Sequence, residues 1–182
     1  MKRLMSKIVL IAAAGAPLVL AVPFSASAAT THSVSFNVAC SGTIQITSTD
    51  PSGNPTAAQY AAMPPTGQCA GNRLHSPAQM QGDITITGAA ACTNGFTASH
   101  TDTLTASDGS QLTVVITESS CPKPMSPNIY HCSGTYDIVS GTGSFATVTG
   151  GDGEWSGVVT FATNGSGSGT FNSQYSGTIA TG

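Results

Sequence analysis

The chain has 182 residues, only 7% of them charged, with a formal net charge of −3. Lys2, Arg3 and Lys7 crowd its beginning, so the rest carries only Arg73 and Lys123 against all eight acids, a formal charge of −6. Two cations cannot neutralise many phosphates, which argues against nucleic acid and anionic membrane surfaces as partners.

The basic leader is followed by an apolar run, Ile8 to Val22, broken at Gly15 and Pro17. Ser25-Ala26-Ser27-Ala28 then ends in a small-x-small pattern. This is the layout of a signal peptide over residues 1–28, cleaved before Ala29. The run is shorter and more broken than the roughly 20 residues of a membrane span. Residues 29–182 are therefore expected to form one secreted, extracellular domain with no membrane contact after cleavage, its surface covered by hydroxyls and amides.

In the mature part, Ser33 to Thr47 alternates, with Val34, Phe36 and Val38 on one face and Ile44 and Ile46 together after Gly42, which reads as two short strands or as one bent strand with a bulge at Ser41-Gly42. From about 48 to 81 the pattern gives way to Pro51, Pro55, Pro64-Pro65 and Pro77. That stretch reads as a long irregular loop, in which Ala57 to Met63 has the composition of a short helix. It also holds Cys69, Arg73 and His75.

A ladder of strands follows. Asn94-Gly95, Asp108-Gly109 and Asn164-Gly165 each separate runs rich in Thr, Val, Ile and Phe, the signal of two-residue hairpin turns. Ile84 and Ile86 share a face. So do Phe96, Ala98, His100, Asp102 and Leu104, and then Leu112, Val114, Ile116 and Glu118. Cys121 to Tyr130 reads as a Pro-rich loop, and strands at Ser133 to Val139 and Ser144 to Val148 flank Ser140-Gly141-Thr142-Gly143. Trp155, Val159 and Phe161 align on the next strand, and Phe171, Tyr175 and Ile179 on the last. One apolar and one hydroxyl face, at period two, predict an all-β fold. A single antiparallel up-and-down β-barrel of about eight strands would remove the exposed edges, and a two-sheet β-sandwich is the alternative.

Five cysteines in an exported chain predict two disulfides and one odd thiol. Any of the five can be left over, and the other four then pair in three ways. The preferred pairs are Cys121–Cys132, which would staple the loop between two strands, and Cys40–Cys69, leaving Cys92 free. No C-x-x-C occurs and the histidines are scattered, so neither a metal nor another cofactor is expected.

Tyr136-Asp137-Ile138-Val139-Ser140-Gly141-Thr142-Gly143-Ser144-Phe145-Ala146-Thr147-Val148-Thr149-Gly150 resembles the signature of allene oxide cyclase-like and dirigent-like barrels, above all their small secreted bacterial members. Tyr175-Ser176-Gly177-Thr178-Ile179 is similar to the group's last strand. The resemblance implies a barrel in which Gly141 and Gly143 form a tight corner, Phe145 drops into the core and Gly150 lets the next segment pass closely. Ser144 stands where the family pattern has a basic residue, and no Arg or Lys follows Lys123. The charged positions of the family's enzymes therefore have no match here.

His100 and Asp102 are the candidate acid–base pair, because burial and a charged partner tune both groups. The alternative is a structural polar pair, and Glu118 reads as a solvated strand end. Phe96, Leu104, Leu112, Val114, Ile116, Phe145, Trp155, Phe161, Phe171 and Tyr175 are expected to line the interior. With no complete catalytic constellation, the expected function is that of a secreted non-enzymatic barrel, a carrier of a small apolar ligand or an extracellular surface component. A cyclase or isomerase acting on an unstable lipid or phenolic intermediate is the alternative.

Overall fold

The computed structural model describes residues 31–74 and 76–182. The expected signal peptide at 1–28 and His75 lie outside the described residues. Among the described residues nine strands form: β1 (His32–Thr49), β2 (Pro55–Ala62), β3 (Gln68–Gly71), β4 (Gln79–Ala89), β5 (Phe96–Thr105), β6 (Gln111–Lys123), β7 (Ser126–Gly141), β8 (Val148–Phe161) and β9 (Ser168–Thr181). A 3₁₀ turn, Gly143–Phe145, precedes β8. No helix among the described residues is long and apolar enough to cross a membrane.

The strands make one antiparallel sheet in which β2, β4, β5, β6, β7, β8, β9 and β1 follow one another, and a further β1–β2 pairing closes the ring. The result is an uneven up-and-down barrel of eight strands, with β3 as a ninth beside β1. One edge of β1 runs along β9 from His32 to Gln45. Its other edge changes partner: Val38 to Ser41 pair with β3, and Thr43 to Thr49 with β2. No register shift interrupts the β1–β9 ladder at Ser41-Gly42. The bulge expected there instead falls beyond Ile46, on the β2 side.

Three further expectations are corrected. Residues 48–81 are not one loop, since Pro55–Ala62 and Gln68–Gly71 are strands, and Ala57 to Ala62 is extended rather than helical. Cys121 to Tyr130 is a hairpin, with β6 continuing to Lys123 and β7 beginning at Ser126. Ser144 to Val148 holds the 3₁₀ turn rather than a strand. The turn dipeptides supply left-handed residues, Asn94 (φ 59°), Gly109 (φ 83°) and Gly165 (φ 73°), but within loops longer than two residues. In the family-like segment Gly143 is left-handed (φ 58°) and Phe145 is buried. The close passage expected at Gly150 occurs at Gly151, where a Cβ would press on the Thr178 carbonyl.

Inward residues alternate with outward ones most clearly on β6: Leu112, Val114, Ile116, Glu118 and Ser120 are buried, while Gln111 and Thr117 are exposed. The core is closed by Phe36, Tyr136 and Tyr175, which meet edge-to-face at 5.6–6.4 Å.

Disulfides join Cys40 to Cys69 and Cys92 to Cys121, and Cys132 is free and buried. The first was expected; the Cys121–Cys132 pair was not formed. Its failure follows from the pleat. Ser120, not Cys121, stands opposite Cys132, so with side chains alternating at period two Cys121 points to the other side of the sheet. Cys92, in the β4–β5 loop, reaches it from outside.

Candidate functional site

Halfway along the barrel, polar side chains from four strands meet in an otherwise apolar interior. β5 contributes His100 and Asp102, which are two residues apart and so point the same way. Gly82 of β4 stands opposite Asp102, and a Cβ there would collide with the Asp102 carboxylate and lie 2.8 Å from the Tyr60 ring. The glycine thus leaves the space in which β2 and β5 reach each other.

Asp102 is fully buried and is the hub. Tyr60 of β2 donates its hydroxyl to Asp102 Oδ1 at 2.8 Å. Tyr175 of β9 donates to Asp102 Oδ2. His100 Nδ1 lies 3.1 Å from Asp102 Oδ1 and also contacts the Tyr60 hydroxyl. On its other side, His100 Nε2 is 3.8 Å from Glu118 Oε2, too far for a hydrogen bond but close enough for an ion pair. Glu118 Oε1 accepts from Ser120 Oγ at 3.2 Å. The His100 ring meets Trp155 edge-to-face at 5.1 Å and Tyr60 at 5.4 Å.

Burial alone would push the imidazolium down, but the Asp102 and Glu118 carboxylates outweigh it and raise the His100 pKa to about 9. At neutral pH both ring nitrogens then carry protons and one cation sits between two carboxylates. Burial and the Asp102 charge push the Tyr60 and Tyr175 hydroxyls well above their ordinary value. Burial and the charge of Glu118 push the Cys132 thiol up to about 12, so it is inert as a nucleophile in the folded chain.

The structure brings His100 and Asp102 together, and it adds Tyr60, Glu118 and Tyr175. Glu118 is 5% exposed, which corrects its reading as a solvated strand end. Tyr60 lies on β2, within the Pro-rich stretch 48–81 whose composition reads as a loop. Its signal was the phase of Ala58, Tyr60 and Ala62, all buried on β2. Leu104, Leu112, Val114, Ile116, Phe145, Trp155, Phe171 and Tyr175 all turn inward and are buried. Phe96 and Phe161 are half-buried at one end, where Tyr130 lies between them, tilted against Phe96 at 5.5 Å and edge-to-face with Phe161 at 6.0 Å.

These side chains pack against one another rather than around an open space. The cavity beside the cluster, bounded by Ile44, Tyr60, Ile84, Trp155 and Phe171, has a volume of about 20 Å³. Clefts that take organic ligands are about 300–1,000 Å³. The arrangement can hold a proton on His100 and tie β2, β5, β6 and β9 across the lumen. As it stands it has no room for a substrate. Comparison with protein-family models, curated proteins and solved structures returned no match.

Proposed function

We propose that the protein is a secreted, non-enzymatic β-barrel that acts as an extracellular surface component, working from its outside rather than its lumen. The observation that carries this reading is the filled interior: a cavity of about 20 Å³ beside a charged cluster whose members are at most 7% exposed. Two disulfides fit an oxidising compartment, where such bonds persist. Kinship with allene oxide cyclase-like or dirigent-like barrels belongs to the same proposal, supported by the Tyr136 to Gly150 segment with its left-handed Gly143 and buried Phe145.

Carriage of an apolar ligand would require Trp155, Phe171 and Tyr60 to repack. Thermal-shift and native mass-spectrometric screening with fatty acids and terpenoids tests this directly. Neither stabilisation nor a one-to-one adduct is expected, and a compound giving both would establish a carrier instead.

One observation favours a second reading, a cyclase or isomerase: the meeting of His100, Asp102, Glu118 and two tyrosines in one cluster is the sort of tuned environment that acid–base chemistry uses. It requires the barrel to open around the substrate. Turnover of an unstable lipid epoxide or a phenolic radical that survives replacement of both His100 and Asp102 by Ala would end it.

A further inference from the structure

The barrel's outer face carries a groove of about 630 Å³ that crosses β3, β1, β9, β8 and β7. Register explains its construction. Gln68, Ser41, Asn172, Val158 and His131 stand opposite one another in one transverse row. The next outward row is two residues away, about 7 Å, and places Ala70 and Ala39 beside Gln174 and Ser156. Short side chains form the floor, and three primary amides and an imidazole rise around it. A second hollow, of about 610 Å³, shares Ser156 and Gln174 and extends the trough toward Thr135 and Ser176.

We propose that this groove binds a neutral saccharide chain. The chemistry of the lining selects the ligand. It contains no Lys, Arg, Asp or Glu, and Glu154 enters only in the second hollow, so apart from the His131 imidazole the groove offers a charged ligand no ionic partner. The backbone groups of β1, β7, β8 and β9 beneath it are paired on both sides, and the outer edge of β3 is met by the Cys69–Ala78 bridge, which leaves a peptide little open edge for strand addition. It has no exposed aromatic or Arg anchor of the kind that dominates protein interfaces.

What it offers is Gln68, Asn172, Gln174, Ser156 and His131, none hydrogen-bonded through its side chain to another described residue. Amides and hydroxyls both donate and accept, and so do the hydroxyls of a sugar. The volume falls within the range of small-ligand clefts, about 300–1,000 Å³. The inference rests on the reading that the molecule works from its outside.

The test is a ¹⁵N–¹H NMR titration of the disulfide-bonded chain with cellohexaose, chitohexaose, maltohexaose and laminarihexaose as probes. At least one should shift the amides of Ser156, Asn172 and Gln174. The double variant Asn172→Ala, Gln174→Ala, altered only at exposed positions, should keep its other resonances and bind that probe about tenfold more weakly, the effect of losing one or two hydrogen bonds. No shift with any of the four, or equal affinity in the variant, overturns the groove. If the apolar compounds are silent as well, the exterior reading survives the loss of the groove. A lumen ligand would overturn the exterior reading itself.

Discussion

Asp102, fully buried, accepts hydrogen bonds from two tyrosines and an imidazolium, so removing it takes the shared acceptor from three polar groups and leaves the buried imidazolium without its nearest carboxylate. Breaking a buried charge pair costs about 3–5 kcal/mol, and Asp102→Ala should cost that much, read as a fall in the urea midpoint. An Asp102→Ala chain with wild-type stability would mean that the cluster is not buried. His100 gives the fold a pH limit. Its folded pKa of about 9 lies above the ordinary 6.5, so its contribution is complete below about 6.5 and lost as pH rises through 9. The span is worth on the order of 3 kcal/mol. Above pH 10 the raised hydroxyls of Tyr60 and Tyr175 add to the loss in the same direction. Urea unfolding at pH 7 and pH 10 should show the decline, and His100→Gln should flatten it between those values.

At the scale of elements, β2 is the strand on which closure depends, because it pairs with both β1 and β4. Gly82→Ala places a methyl between Tyr60 and Asp102, so the variant should lose about 1–3 kcal/mol by overpacking, measured by thermal unfolding. The cysteines give a sharper check. Native chain should show no thiol reactive toward a disulfide reagent, and unfolded chain one, which peptide mapping should place at Cys132. Cys92→Ser should cost about 2–4 kcal/mol, the worth of a disulfide, whereas Cys132→Ser leaves both bonds in place.

The same elements show what the sequence discloses. From β4 onward the strands are legible, because Thr and Ser mark the outside while Ile, Leu and Val mark the inside. β2 is not, because Ala57 and Ala61 are the same residue as the inward Ala58 and Ala62, so that the period is flat there. The period did put Glu118 inward, and its charge argued otherwise. It stays inside because His100 compensates it, across a separation that no local pattern encodes. The cysteine pairing failed for a related reason: proximity along two strands was visible, but facing was not.

At the scale of the molecule, eight strands make a closed ring whose lumen is filled by its own side chains, so that Tyr60, His100, Asp102, Glu118 and Tyr175 act as a strut joining opposite walls. That the barrel closes on itself was readable from the edges an open meander would leave. That it closes around a solid interior was not, since alternation gives the direction of each side chain but not how much space remains between them. The groove across β3, β1, β9, β8 and β7 is likewise a product of register, with Gln68 and His131 brought to its two ends from positions 63 residues apart in the chain.

Long-range ¹H–¹⁵N NMR of the His100 ring, followed from pH 5 to pH 10, tests the sealed strut most directly. Both ring nitrogens should remain protonated through neutrality and titrate near pH 9, with protons that exchange slowly with water. A ring that titrates near its ordinary 6.5 with fast-exchanging protons would mean that the lumen is open to solvent, and the filled barrel would have to be given up.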